Sequence, residues 1–360
     1  MAGGGGQGVR SLWEMGPAGG IGAVYVEWVD CAAAGLPGRP AFPPEPAMPL
    51  SQTQKRTAEA IVNLFETGRV RGDYGQVTLI AGDTGRLTYG RSQATLGSGN
   101  LYRMLERYCA NAGARFGARL SPWLPAVSAG ERAVDTDARL HNLLRAAADD
   151  PVMRDTQDAF FDETYWQPAE RTAAREGIAT PLGVAVVYDS FVHGSWKAMR
   201  DRTQAARGPA AAVGERDWIA AYVDIRRDWL AGHPRADLRA TVYRMAAFRR
   251  LIDQGYWGLE LPLVVRDGEI SLASLTATPA GCYDGPQPGT RTLAMQSPLL
   301  RGLDVRLLQL GLSERGIDIR ADGIYGQTSV RCVQAYQQGR GAPATGVADL
   351  ALIAELAALP

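Results

Sequence analysis

Only two of the 360 residues are lysines, Lys55 and Lys197, and every other cation is an arginine. That bias is in keeping with GC-rich coding, and no function is drawn from it. The three histidines, His141, His193 and His233, are too few for an imidazole-based zinc site. The four cysteines (Cys31, Cys109, Cys282, Cys332) lie at least 50 residues apart and form no C-x-x-C pair. Neither a metal centre nor a disulfide scaffold is expected, a single bridge stays open, and no cofactor is implied. Charge of one sign is also missing, because Lys plus Arg and Asp plus Glu both number 38. Nucleic-acid binding driven by net charge is thereby excluded. No apolar run approaches the roughly 18 residues of a membrane span. The Met1-Ala-Gly-Gly-Gly-Gly start lacks a basic and then apolar leader, so no secretory signal is expected.

What is present is an ordinary folding composition, 46% hydrophobic and 21% charged, in a chain long enough for about two to three domains. Residues 1–50 are rich in Gly, Ala and Pro and read as an extended lead-in, with one strand at 23–29. From Ser51, a plausible helix cap, apolar spacing predicts a helix over 54–67. Further helices are expected over 100–114, 138–148, 153–164, 182–196, 215–231 and 238–254, with a strand over 74–80. Residues 271–296, rich in Gly and Pro, read as a linker after a domain spanning 51–270. The remainder, 297–360, carries three helix signals at 304–311, 328–338 and 349–359, with Thr328 expected to cap the second.

In that last unit, Asp304-Val-Arg-Leu-Leu-Gln-Leu-Gly-Leu, Asp322-Gly-Ile-Tyr-Gly-Gln-Thr and Thr345-Gly-Val-Ala-Asp resemble the peptidoglycan-binding domain type 1. The motif specifies a three-helix fold first. Affinity for wall glycan or its peptide stems is what the resemblance implies.

Two carboxylates stand out upstream. Glu66 ends the first helix, beside Phe65 and one turn from Val62. A carboxyl against an apolar stripe is partly withdrawn from water, as suits a general acid. Asp83 lies in the turn Gly82-Asp-Thr-Gly-Arg, from which a side chain can project into a cleft. Glycosidic cleavage needs such a pair, although spacing alone also fits a helix-end surface residue and an ordinary turn former.

Leu64-Phe-Glu-Thr-Gly, Gly82-Asp-Thr-Gly-Arg-Leu-Thr-Tyr-Gly-Arg, Gly97-Ser-Gly-Asn-Leu, Tyr165-Trp-Gln-Pro-Ala and the run from Leu182 to Gly194 together resemble glycoside hydrolase family 46. These are chitosanases of the lysozyme-like superfamily. The resemblance implies a mainly α fold with a small β-sheet (α+β, lysozyme-like), followed by the three-helix module. Carried over by position, Glu66 is the catalytic acid, Asp83 the base that activates water, and Thr88 a hydroxyl that helps hold that water. Inversion follows, which needs carboxyl groups about 6.5–9.5 Å apart. Asp189 matches a buried acid paired with arginines, here expected to be Arg226 and Arg250. Asn100, Arg86 and Arg91 are expected to bind substrate.

Asn100 stands where chitosan-cleaving members carry an aspartate that meets a substrate ammonium. An amide cannot supply that charge, yet it can donate to and accept from an N-acetyl group. The reading is therefore an inverting, endo-acting hydrolase of β-1,4 bonds in an amino-sugar polymer, with peptidoglycan first, as an antibacterial effector or endolysin. Chitosanase and non-catalytic wall-binding adaptor are the alternatives. The expected partner is the polysaccharide. Export without a leader, to act outside the cell or in a target periplasm, would add a secretion apparatus or an immunity protein.

Overall fold

The computed structural model describes residues 11–15, 21–25, 50–80, 84–91 and 93–358. Asp83, Cys31 and most of the Gly/Pro-rich lead-in lie outside the described residues. Residues 1–48 form one unit and 49–360 another. In the first, β1 (Ser11–Met15) pairs antiparallel with β2 (Ile21–Tyr25), Ser11 opposite Tyr25. The strand expected over 23–29 overlaps β2, and its remainder lies outside the described residues.

The second unit is helical. Its longer helices are α1 (Gln52–Thr67), α2 (Asn100–Cys109), α3 (Ala138–Ala147), α4 (Pro151–Phe161), α5 (Gln167–Arg175) and α6 (Pro181–Val192). Then come α7 (Trp196–Arg207), α8 (Glu215–Ala231), α9 (Tyr243–Asp253), α10 (Leu303–Glu314), α11 (Gln327–Gly339) and α12 (Leu350–Ala357). Ser51 starts α1 through a capping box, its Oγ accepting from Gln54 N at 3.2 Å and its N donating to Gln54 Oε1 at 2.9 Å.

Several elements are shorter than their sequence patterns. The helix expected over 182–196 stops at Val192, because Gly194 and Ser195 turn left-handed (φ 86° and 79°) before α7 begins. The helix expected over 238–254 starts only at Tyr243. The strand expected over 74–80 is reduced to β3 (Val77–Thr78). Tyr74 is instead buried, its hydroxyl donating to Asp158 at 2.7 Å, and Leu79 and Ile80 are exposed. β3 pairs with β4 (Thr88–Tyr89), and β4 with β5 (Ala94–Thr95).

Two hydrophobic cores result. One gathers α1, α6, α7, α8, α9 and the hairpin β6 (Leu263–Val265) and β7 (Gly268–Ile270). The other gathers the small sheet with α2 and α3, and it continues without a break into α10, α11 and α12. The C-terminal helices therefore share a core with the upstream domain. Buried Asn142 of α3 donates to Ser313 Oγ at 2.9 Å and Ile319 O at 2.7 Å and accepts from Ala321 N at 2.9 Å. Arg306 of α10 donates to Arg145 O and Gly281 O, both at 2.6 Å.

The stretch expected as a linker, 271–296, is likewise packed. Tyr283 N donates to Asp149 Oδ1 at 2.8 Å, and Arg154 pairs with Asp284 at 2.9 Å. The cap of α11 is Gly326, without a side-chain bond, so Thr328 is inside the helix and does not cap it.

Candidate active site

Glu66 is positioned by the end of α1, which packs into the first core through Leu64 and Phe65. Gly68 closes the helix in the left-handed conformation (φ 68°), its N–H donating to Leu64 O at 3.2 Å. Tyr243 Oη donates to Phe65 O at 2.8 Å, and Arg266 Nη1 reaches Leu64 O at 3.4 Å. Gly268 of β7 lies so close that a Cβ there would stand 2.6 Å from Leu64 Cδ2. The last turn is thus held from several sides, and the direction of Glu66 is fixed with it.

The Glu66 side chain keeps 33% of its surface exposed and pairs with Arg244. This is the partial withdrawal from water expected of it, with a guanidinium and open space around the carboxyl. Arg244 is itself buried, over the Phe65 ring at 5.3 Å. Its Nη1 donates to Asp189 Oδ1 at 2.7 Å. Asp189 is fully buried, and its Oδ2 accepts from Arg226 Nη1 at 2.7 Å. Burial alone would raise the Asp189 pKa, but the Arg226 and Arg244 guanidiniums hold it below the usual carboxylate value.

Arg226 also donates to Ser190 Oγ at 2.9 Å and to His193 Nδ1 at 3.1 Å. Burial, and then the charges of Arg244 and Arg226, push His193 down to about 4. The result is a relay from Glu66 through Arg244 and Asp189 to Arg226. Such a buried network orients the carboxyl at its open end.

Open space flanks Glu66 on both sides. A cavity of about 100 Å³ is lined by Val62, Glu66, Thr67, Phe161, Tyr165 and Val192 among others. Tyr165 enters it from a π-helical turn, Asp162–Trp166, and its pKa is raised by burial and by the Glu66 charge. On the other side a cavity of about 940 Å³ runs from Glu66 and Thr67 past β3 to Arg306 of α10 and the 320–324 stretch that follows that helix. Glu66 thus lies where a long chain could cross from one cavity into the other.

The remaining expected site residues are distributed unevenly. Thr88 lies on β4, its Oγ1 donating to Arg86 O at 3.2 Å, on the sheet that belongs to the other core. Asp83 is outside the described residues. Asn100 opens α2, half-buried, its N donating to Ser98 Oγ at 3.3 Å.

Two arginines, Arg86 and Arg250, need correction. Arg86 spends its donors on Asp135 (2.7 and 2.9 Å), Gly130 O (2.8 Å) and Glu131 O (3.1 Å), so it clamps a loop rather than meeting a sugar. Arg91 is buried between Glu59 and Asp158, with its guanidinium 5.0 Å from the Phe161 ring centre, and it also lines the cavity of about 100 Å³ beside Glu66. Arg250 does not face Asp189; it is exposed, six residues beyond Arg244 and off the buried side of α9.

Arg244, which does face Asp189, escaped the sequence reading. Its signal was available: it shares the helical stripe of Phe248 and Leu251, and an arginine on an apolar stripe needs a buried acid. Nothing in Tyr165-Trp-Gln-Pro-Ala marks Tyr165 as a neighbour of Glu66, because the two residues are brought together only by packing.

The family model described as glycosyl hydrolase family 46 matches residues 60–263, and a peptidoglycan-binding domain matches 301–356. A chitosanase of Bacillus subtilis (strain 168) is 31% identical over 238 residues, covering 61% of this chain and 84% of that protein. A variant chitosanase from Bacillus subtilis MY002, solved with 6 GlcN, aligns with a TM-score of 0.51 and 27% identity, covering 61% of this chain and 98% of that one. The chain is therefore a glycoside hydrolase acting on an amino-sugar polymer, a member of glycosyl hydrolase family 46 that carries a C-terminal peptidoglycan-binding domain.

Proposed function

We propose that this enzyme cleaves β-1,4 bonds within bacterial wall peptidoglycan, by inversion, with Glu66 as acid and Asp83 as base. Thr88 would help to hold the attacking water, and Asn100 would meet an acetylated amino group. The observation that carries the choice of substrate is the charge state of the larger cavity. Its acids among the described residues are all engaged: Glu66 with Arg244, Asp73 with Arg69 at 3.2 Å, and Asp322 with Ile324 N at 2.9 Å and Gln309 at 3.0 Å. Among the described residues of its lining, a polycation entering it would meet more arginines than carboxylates, which disfavours chitosan.

The second reading is chitosan hydrolysis, and the relatives favour it, because both are described as chitosanases. Purified peptidoglycan and chitosan, assayed side by side, decide between the two. Release of reducing ends from peptidoglycan, lost in Glu66→Gln, supports the first reading. Cleavage of chitosan alone removes it. A retained anomer in the product would instead overturn the roles given to Glu66 and Asp83. Action outside the cell, by a route that brings in a secretion apparatus or immunity protein, belongs to the same proposal. Periplasmic but not cytoplasmic toxicity, dependent on Glu66, tests that part.

A further inference from the structure

The wall of the larger cavity opposite Glu66 is built by the C-terminal domain, through Arg301, Arg306, Arg320, Ala321, Asp322 and Ile324. This wall is rigidly tied to the rest. Gln309 of α10 donates to Asp322 Oδ1 and Ile324 O and accepts from Gly323 N at 2.8 Å, which fixes the 322–324 turn. Arg301 bridges to Ile324 as an isolated antiparallel pair. Tyr283 packs directly over Gly323, where a Cβ would not fit. Asn142 holds Ile319 O and Ala321 N on either side of Arg320. Two domains therefore present one continuous surface to whatever lies against Glu66.

The charges on that surface are unbalanced. Arg306 is consumed by backbone carbonyls and by Asp149 at 3.3 Å. Arg301 and Arg320 are exposed, and no ion pair is found for either among the described residues. Arg145 has only Asn142 Oδ1, at 3.1 Å, for one Nη, while its Nε is buried without a partner. Arg145, Arg301, Arg306 and Arg320 line one cavity, and burial together with the nearby Arg320 and Arg306 charges lowers Arg145 to about 10, with the Asp322 carboxylate opposing that shift. Four guanidiniums against the single Asp322 carboxylate on this wall leave an excess of positive charge, which favours an anion between them. Planar guanidiniums pair best with carboxylate or phosphate oxygens.

We propose that Arg145, Arg301 and Arg320 form a carboxylate-binding subsite shared by the two domains and continuous with the catalytic cleft, which engages acidic groups carried by the glycan. In this arrangement the C-terminal domain selects the substrate at the site of cleavage instead of acting only as a distant anchor. The inference rests on the peptidoglycan reading for its ligand, whose peptide stems carry free carboxylates.

The test uses the full chain with Glu66→Gln, so that binding is read without turnover. The probe is a soluble disaccharide–peptide fragment of peptidoglycan, compared with the same fragment after its carboxylates are converted to amides. Calorimetry should give a Kd about tenfold tighter for the carboxylate form, and this advantage should shrink with added salt. The added double substitution Arg301→Ala/Arg320→Ala should cancel it. Equal affinity for the two fragments, or an advantage that survives the double substitution with the fold intact by circular dichroism, overturns the subsite. Turnover by the chain with Glu66 intact separates this from the substrate reading. If only chitosan is cleaved while the fragment still binds through Arg301 and Arg320, the subsite stands and the substrate reading falls. If peptidoglycan is cleaved but the two fragments bind alike, the reverse holds.

Discussion

Arg244 joins Glu66 to Asp189 with the two arms of one guanidinium: Nη2 meets Glu66 Oε1 and Nη1 meets Asp189 Oδ1 at 2.7 Å. Asp189 has no surface exposure and is held from its other oxygen by Arg226. The half-open carboxyl is thereby referenced to the interior of the fold through a planar, five-donor group that no other side chain can imitate. Arg244→Lys should keep a cation near both acids but reach only one at a time. With Glu66 released from its direction, kcat should fall by about 100-fold while KM changes little. Steady-state kinetics on a soluble oligosaccharide check this, and a rise confined to KM would show that Arg244 binds sugar instead.

His193 gives the same network a dependence on pH. Its Nδ1 accepts from Arg226, and protonation would remove the acceptor and set a third cation beside Arg226 and Arg244. Its folded-state pKa is lowered to about 4, below the unfolded value of about 6.5. The contribution to stability is therefore complete above about pH 6.5 and is lost as pH falls through about 4, because the unfolded chain binds the extra proton in that window. Urea melts between pH 4 and 7 should show stability rising with pH, and His193→Asn should flatten part of that slope. An NMR titration placing His193 near 6.5 would refute the argument.

Much of this was legible in the sequence because the carriers are local. Ser51, the apolar spacing of Ala58, Ile61, Val62 and Phe65, and Gly68 define α1 and hence Glu66 within a few residues. The three C-terminal helices were legible for the same reason. Long-range partners were not. Nothing near Asp189 in the chain distinguishes Arg244 from Arg250, since both lie on one helix and only packing selects the face. Arg86 and Arg91 sit in the right motif, but whether a guanidinium turns outward to a sugar or inward to Asp135 or Asp158 depends on residues 49 and 67 positions away. The packed character of 271–296 was hidden because a Gly/Pro-rich composition describes an irregular backbone and leaves open what covers it.

Arg86 should behave as a structural clamp. Arg86→Gln removes donors to Asp135, Gly130 O and Glu131 O, and it should cost about 1–3 kcal/mol in urea unfolding. KM for a soluble oligosaccharide should change far less than stability does. A large rise in KM with unaltered unfolding would return Arg86 to the binding surface.

The coupling of the two domains rests most heavily on Asn142, a single amide that makes three bonds across the junction, to Ser313 Oγ, Ile319 O and Ala321 N. An anchor on a free tether would melt independently of the enzyme it carries. A domain that shares a core and buried polar bonds should unfold together with it. Asn142→Ala strands two buried acceptors and one donor, each worth about 1–3 kcal/mol when left unsatisfied. The intact chain should therefore show one cooperative transition for residues of both parts, moved to lower temperature by Asn142→Ala. Because Arg320 stands between two of the residues that Asn142 holds, the same substitution should weaken binding of the carboxylate-bearing fragment more than that of its amidated form. Two separate transitions, with the upstream one unmoved by Asn142→Ala, would mean that the junction is too weak to shape the cleft.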